Sequence, residues 1–173
     1  MVISTDSPRT RTVTWEPSHP KSREAMNEAA LSYYRGIRDG LYPRPPFGEM
    51  LDLDLDEVEP GFVVFTMVPA EYHYNPLGTV HGGMIATLLD SAMGCAVHTT
   101  LPPGVGFTTL EIKVNYVKAV TEATGKVFAE GRVVHSGRSS AVAEGKLLDE
   151  RGALLALAST TCAVLRPLGS AQA

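Results

Sequence analysis

The stretch "YNPLGTVHGGMIATLLDSAMG", residues 74–94, holds a proline turn, a His-Gly-Gly step and a long apolar run interrupted by one carboxylate, Asp90. Those residue types at that spacing suit acyl-transfer chemistry. Gly82 and Gly83 open a helical run, and the free N–H groups and positive dipole of a helix start attract an oxyanion. A carbonyl oxygen gaining negative charge in a transition state is such a target. Asn75 offers an amide donor and His81 an imidazole nearby in sequence, and each has a structural alternative, Asn75 stabilising its Asn-Pro turn and His81 capping the helix or bonding a backbone carbonyl. Asp90 is a candidate nucleophile or general base. Its alternative is structural, a carboxylate accepting backbone or hydroxyl hydrogen bonds, because an unpaired buried carboxylate is costly. Gly82 and Asp90 are eight residues apart, about 12 Å of helix rise. One helix therefore cannot bring both groups to one carbonyl. Two chains with these helices antiparallel across a two-fold axis would do so, which puts such a site at a dimer interface.

The surrounding elements must hold that constellation. The helix is expected from about Gly82 to His98. Ile85, Leu88, Leu89, Ala92 and Ala96 fall on one side, with Gly83, Thr87, Asp90 and Gly94 opposite. Lacking the usual Lys or Glu stripe, it reads as a helix covered all round, with small residues that admit a second backbone. Upstream, residues 22–40 predict a helix capped by Ser22 and ended by Gly40. "LYPRPPFGE", residues 41–49, reads as a linker. "EMLDLDLDEVEPG" alternates Met50, Asp52, Asp54 and Asp56 with Leu51, Leu53 and Leu55, the period of a half-buried strand with an acidic outer face. "FVVFTMVP" predicts a second strand. After the helix come four strand-like runs, "FTTLEIKVNYVKAV", "GKVFAEGRVVHSG", "SSAVAEGKLLDE" and "ALLALASTTCAVLRP", with breaks near 121–124, 136–138 and 149–152. Short connections predict that successive late strands pair antiparallel. A long helix among antiparallel strands is an α+β layout.

Composition narrows the function classes. A chain of 173 residues with 44% hydrophobic and 20% charged residues fits one globular domain with a real core. A net charge of −4 gives no footprint for general nucleic-acid binding. The charge is uneven: residues 41–100 carry one basic and eight acidic side chains, and residues 101–173 carry eight basic and six acidic. An anionic ligand is therefore better placed on the C-terminal part. Cys95 and Cys162 form no metal-ligand pattern and read as buried free thiols. No leader-like or membrane-spanning run is visible, so a soluble cytoplasmic protein is expected.

The run "NPLGTVHGGMIATLLD" resembles the hotdog-fold acyl-CoA thioesterases, specifically the PaaI-like (phenylacetate-degradation) group, on Asn75, Gly78, His81, Gly82, Gly83 and Asp90 at this spacing. The resemblance covers roughly residues 46–166. It implies a long helix wrapped by a curved antiparallel sheet, paired into dimers and usually dimers of dimers. It divides the chain into a flexible arm (1–19), a helical extension and linker (20–45), the hotdog domain (46–168) and a tail (169–173). It implies hydrolysis of an acyl-CoA, its acyl group aryl-acetyl, otherwise aromatic or of medium chain length, to acid and CoA with no metal and no cofactor, CoA being part of the substrate. By position, Asp90 is the catalytic carboxylate, the Gly82 N–H polarises the carbonyl, and Asn75 and His81 help position carbonyl or sulfur. Thr109 falls where relatives place a hydroxyl that holds the attacking water. Gly83 lies beside the carbonyl-binding step. "HSGRSS", with Gly137, Arg138, Ser139 and Ser140, falls at a turn near the CoA phosphates; on its own it reads equally as a solvated hairpin. Two other activities fit a hotdog domain, an acyl-CoA hydratase or dehydratase and a non-catalytic acyl-CoA sensor. The first usually sets a His and an acid elsewhere; the second needs a DNA-binding module that residues 22–40 do not supply.

Overall fold

The computed structural model describes residues 9–17 and 29–166. The expected Ser22 cap lies outside them. Helix α1 spans Ala30–Arg38, and Gly40, at φ 73°, turns the chain away just after it. The linker expectation fails next. Residues Pro46–Leu51 form a short helix, α2. A proline at the first helical position loses nothing, because its missing N–H would have no partner there anyway. The helix ends at Asp52, whose φ of 52° reverses the chain. Strand β1 (Asp54–Glu59) therefore starts later than the Leu/Asp alternation suggests.

Strand β2 (Phe62–Met67) pairs antiparallel with β1 and is buried from Val63 onward. Helix α3 runs Gly82–His98, the span expected from sequence. Strands β3 (Gly106–Tyr116), β4 (Val127–Ser136), β5 (Ser140–Asp149) and β6 (Leu154–Leu165) complete one six-stranded antiparallel sheet of order β1-β2-β4-β5-β6-β3. β4, β5 and β6 pair with their sequence neighbours as expected. β3 does not pair with β4. Residues 117–126 cross over, and β3 lies at the far edge against β6. α3 packs against β2, β3, β4, β5 and β6, so the sheet curls around it. This is the wrapped-helix α+β architecture the resemblance implies.

The inner face of the sheet is lined with small residues where the helix crosses. Ala129, Ala141, Ala143 and Ala156 are fully buried, and Gly131 lies against the backbone of Ala92 and Met93. The helix faces differ as their residues dictate. Leu88, Leu89, Ala92, Met93 and Ala96 are fully buried in the core, while Gly83 is exposed and Thr87, Asp90, Ser91 and Cys95 are half-buried. The second face is thus open in the single chain. Among the described residues no helix is long and apolar enough to cross a membrane.

α1 docks on this core through its tyrosines. Tyr34 is buried, and its hydroxyl lies 2.9 Å from Nδ1 of the buried His98. Arg35 Nε donates to the Val58 carbonyl at 3.1 Å. Burial pushes His98 below the usual histidine value, with a hydrogen bond to the Val105 carbonyl opposing it. Burial lowers His73 likewise. Unfolding exposes both rings, which then bind protons near 6.5 while the folded state resists them. Their contribution is complete above pH 6.5 and is lost as pH falls below it. Melting temperature is expected to drop between pH 7 and pH 5, and less steeply in His98→Gln. A flat profile in wild type would overturn this account.

Candidate active site

The site begins with the register of β3 along α3, which run antiparallel. Phe107 packs on Gly94 and on His98, with ring centroids 5.3 Å apart. Two residues on, Thr109 Oγ1 donates to Asp90 Oδ1 at 2.9 Å. At the end of the strand, the Tyr116 hydroxyl donates to the Gly82 carbonyl at 2.8 Å. Side chains alternate along a strand, so residues 109 and 116 would ordinarily face opposite sides. A bulge between Thr109 and Glu111 resets the alternation. Leu110 faces solvent there, and Ile112 and Val114 then pack toward the core. Bulges of this kind re-aim side chains beside functional sites. The second Asp90 oxygen has no hydrogen-bond partner among the described residues.

At the start of α3, His81 is the cap. Its Nδ1 accepts the Gly83 N–H at 2.9 Å, and its carbonyl accepts from Met84 and Ile85. Of the first four helical N–H groups, that of Gly82 alone makes no hydrogen bond among the described residues. Asn75 is occupied by its own turn. Its Oδ1 accepts from Leu77 N at 2.8 Å, and its Nδ2 donates to Thr79 Oγ1 at 3.0 Å. Asn75, Gly82 and Tyr116 line one cleft of about 310 Å³.

Gly137, Arg138 and Ser139 form the β4–β5 hairpin, closed by Gly137 N donating to Ser140 O at 2.9 Å. Thr100, just past the end of α3, donates to Ser136 beside it. The hairpin therefore sits at the opposite end of α3 from Gly82. Arg166 Nε donates to the Arg138 carbonyl at 3.2 Å, which brings a second guanidinium to the turn.

Asp90 also opens onto a mostly apolar cavity of about 390 Å³. Tyr33, Tyr34, Phe47, Phe65 and Phe107 contribute its rings. Cys95 shares that wall beside Tyr34, and burial pushes its thiol up to about 12, so it remains a protonated thiol at neutral pH. Cys162, on β6 opposite Thr109 of β3, is buried and also free.

Thus one chain brings Asp90 and Thr109 together. It gathers Asn75, His81, Gly82 and Gly83 at the helix start, and holds residues 137–140 apart from both. The comparisons with known proteins bear on the fold and the family. A model of the thioesterase superfamily matches residues 77–156. The solved structure of a conserved protein from Pseudomonas aeruginosa is 31% identical, covering 70% of this chain and 95% of that one, with a TM-score of 0.66. The chain belongs to the thioesterase superfamily. A thioesterase family protein from Silicibacter pomeroyi superposes with a TM-score of 0.68 at 26% identity, over 78% of this chain and 99% of that one. The 1,4-dihydroxy-2-naphthoyl-CoA hydrolase of Listeria monocytogenes is 29% identical over 67% of this chain and 93% of its own length. This protein is a hotdog-fold thioester hydrolase.

Sequence reasoning about this thioesterase overlooked Tyr116 and the ring-lined cavity. The only trace of Tyr116 is an aromatic residue ending a strand-like run, which is common in any sheet. The cavity draws on α1, α2, β1, β2, α3 and β3, elements far apart in the chain, so no local pattern marks it.

Proposed function

We propose that this thioesterase hydrolyses acyl-CoA, with Asp90 as the general base or nucleophile. The observation that carries the reading is the Asp90 carboxylate, held on one oxygen by Thr109, free on the other, and open to an apolar cavity of acyl size. Cavities of a few hundred cubic ångströms with few convergent polar groups are the usual form of small-molecule sites. A thioester carbonyl is already electrophilic, so a positioned base and an oxyanion trap suffice. The trap is the unpaired Gly82 N–H of a second copy, because about 12 Å of helix rise separates Gly82 and Asp90 in one chain. The open Gly83-Thr87-Asp90 face of α3 is where that copy packs, and a dimer of such dimers is the expected assembly of a cytoplasmic enzyme. His81, Asn75 and Tyr116 act as positioning residues. His81 occupies Gly83 and leaves Gly82 free, Asn75 fixes the preceding turn, and Tyr116 holds the Gly82 carbonyl. Gly137, Arg138, Ser139 and Ser140 bind the CoA phosphates, with Arg138 supplying a guanidinium fork. They stand at the C-terminal end of α3, on the far side of Asp90 from Gly82 of the same chain.

Thiol release from acetyl-, hexanoyl-, lauroyl-, benzoyl- and phenylacetyl-CoA tests the reading. Hydrolysis of at least one is expected. A folded protein that binds acyl-CoA and releases thiol from none would overturn it in favour of a sensor. A smaller effect tests the carboxylate's support. A hydrogen bond to a charged group contributes about 1.5–3 kcal/mol, or about 10-fold to 100-fold in rate. Thr109→Val is expected to lower kcat by that factor with KM little changed, and Thr109→Ser to recover it. Equal kcat in Thr109→Val and wild type would remove Thr109 from the site.

A further inference from the structure

We infer that the N-terminal extension selects the acyl group: Tyr33 and Tyr34 of α1, with Phe47 of α2, form a stiff far wall of the cavity that admits compact ring-bearing acyl groups and disfavours long flexible chains. This rests on the proposal that Asp90 serves acyl-CoA hydrolysis, because the wall matters only if the acyl group enters the space beside that carboxylate. Three observations carry it. First, Tyr33, Tyr34, Ile37 and Phe47 line the cavity together with Asp90, Gly94 and Phe107, so the extension contributes to the enclosure that α3 and β3 begin. Secondly, the wall is braced. Tyr34 is held by His98 at 2.9 Å, and Tyr33 packs between Tyr34 and Tyr42, with ring centroids at 5.4 and 5.6 Å. Both are buried, so neither ring swings aside without leaving a void. Thirdly, the thioesterase superfamily match starts at residue 77. The wall-forming tyrosines and Phe47 thus lie outside the stretch that the superfamily model matches.

The size and chemistry of the space agree. A cavity of about 150 Å³ holds one benzene ring. At about 390 Å³ this space accommodates a ring and its linker, or two fused rings. Ring faces and edges at fixed positions favour offset-stacked or edge-to-face contact with a flat aromatic acyl group. A long alkyl chain must instead fold against the wall, losing rotamer freedom for each bond it fixes.

The test compares kcat/KM for phenylacetyl-CoA and lauroyl-CoA in wild type, Tyr33→Ala and Phe47→Ala, with Asp90→Asn run in parallel. Phe47 is partly exposed on a short helix, so its variant stays folded if loss of Tyr33 from the core does not. Wild type is expected to prefer phenylacetyl-CoA. Each variant is expected to lower the phenylacetyl-to-lauroyl ratio at least 10-fold, mainly by raising turnover of lauroyl-CoA. Folded variants whose ratio equals wild type, or whose activity falls equally on both substrates, would overturn the wall inference and leave the acyl-CoA reading standing. A wild type that hydrolyses neither substrate nor any other acyl-CoA would instead overturn the acyl-CoA reading.

Discussion

Asp90→Asn is expected to lower kcat by about 10²–10⁴-fold, the range for loss of a general base, while the protein stays folded. The asparagine keeps the shape of the side chain and an oxygen that accepts the Thr109 hydroxyl at the same 2.9 Å contact. It removes only the negative charge and the ability to take a proton from water or to attack the carbonyl. Among the described residues that line the cavity, no other group is placed to substitute. Arg44 also lines the cavity, but it is cationic and engaged by Glu49 at 3.1 Å and by Asp54 at 2.6 Å. Cys95 stays protonated. The variant's melting temperature and its turnover of the best acyl-CoA substrate check the point together. A folded Asp90→Asn with wild-type kcat would end the catalytic assignment.

The second large effect is on the frame. Gly131→Ala is expected to cost about 3 kcal/mol, the upper end for overpacking, and to lower the melting temperature by roughly 6–12 °C for a chain of this size. A Cβ at residue 131 would stand 2.3 Å from the backbone carbon and oxygen of Ala92 and 2.5 Å from Met93 N. Those atoms belong to the middle of α3 and cannot rotate away. Relief requires the helix to lift from the sheet, carrying Asp90 away from Thr109. A displacement near 1 Å at a reacting group costs about 100-fold in rate, so kcat is expected to fall with stability. Gly145→Ala is the control. Its added Cβ would meet the Met93 and Leu89 side chains at 3.1–3.2 Å, and methionine yields. Thermal melts in which Gly131→Ala is no worse than Gly145→Ala would show that the helix does not rest on that glycine.

How much of this was legible beforehand varied with the range of the interaction involved. Helix α3 was readable to the residue because its signals are local: a His-Gly-Gly start, an apolar periodicity and no breaker until the prolines at 102 and 103. Residues 46–51 misled because a proline pair signals both the end of one helix and the first turn of another, and only the packing of Gly48 and Leu53 decides between them. The sequence-neighbour rule placed β4, β5 and β6 correctly and misplaced β3. A connection of ten residues, 117–126, is long enough to cross the sheet, and the edge beside β6 lets β3 run along the helix.

The sequence by itself determined the kind of chemistry and its distance problem: a carboxylate two turns below a glycine-rich helix start, within a wrapped-helix fold. Both follow from residue type and helical rise, which are properties of one segment. Only the tertiary structure decided that a one-residue bulge turns Thr109 to Asp90 and Tyr116 to Gly82, that His81 and Asn75 spend their side chains on local hydrogen bonds, and that tyrosines some sixty residues upstream of Asp90 wall its cavity. Those depend on register and on contacts between distant segments, which the order of residues along the chain does not express.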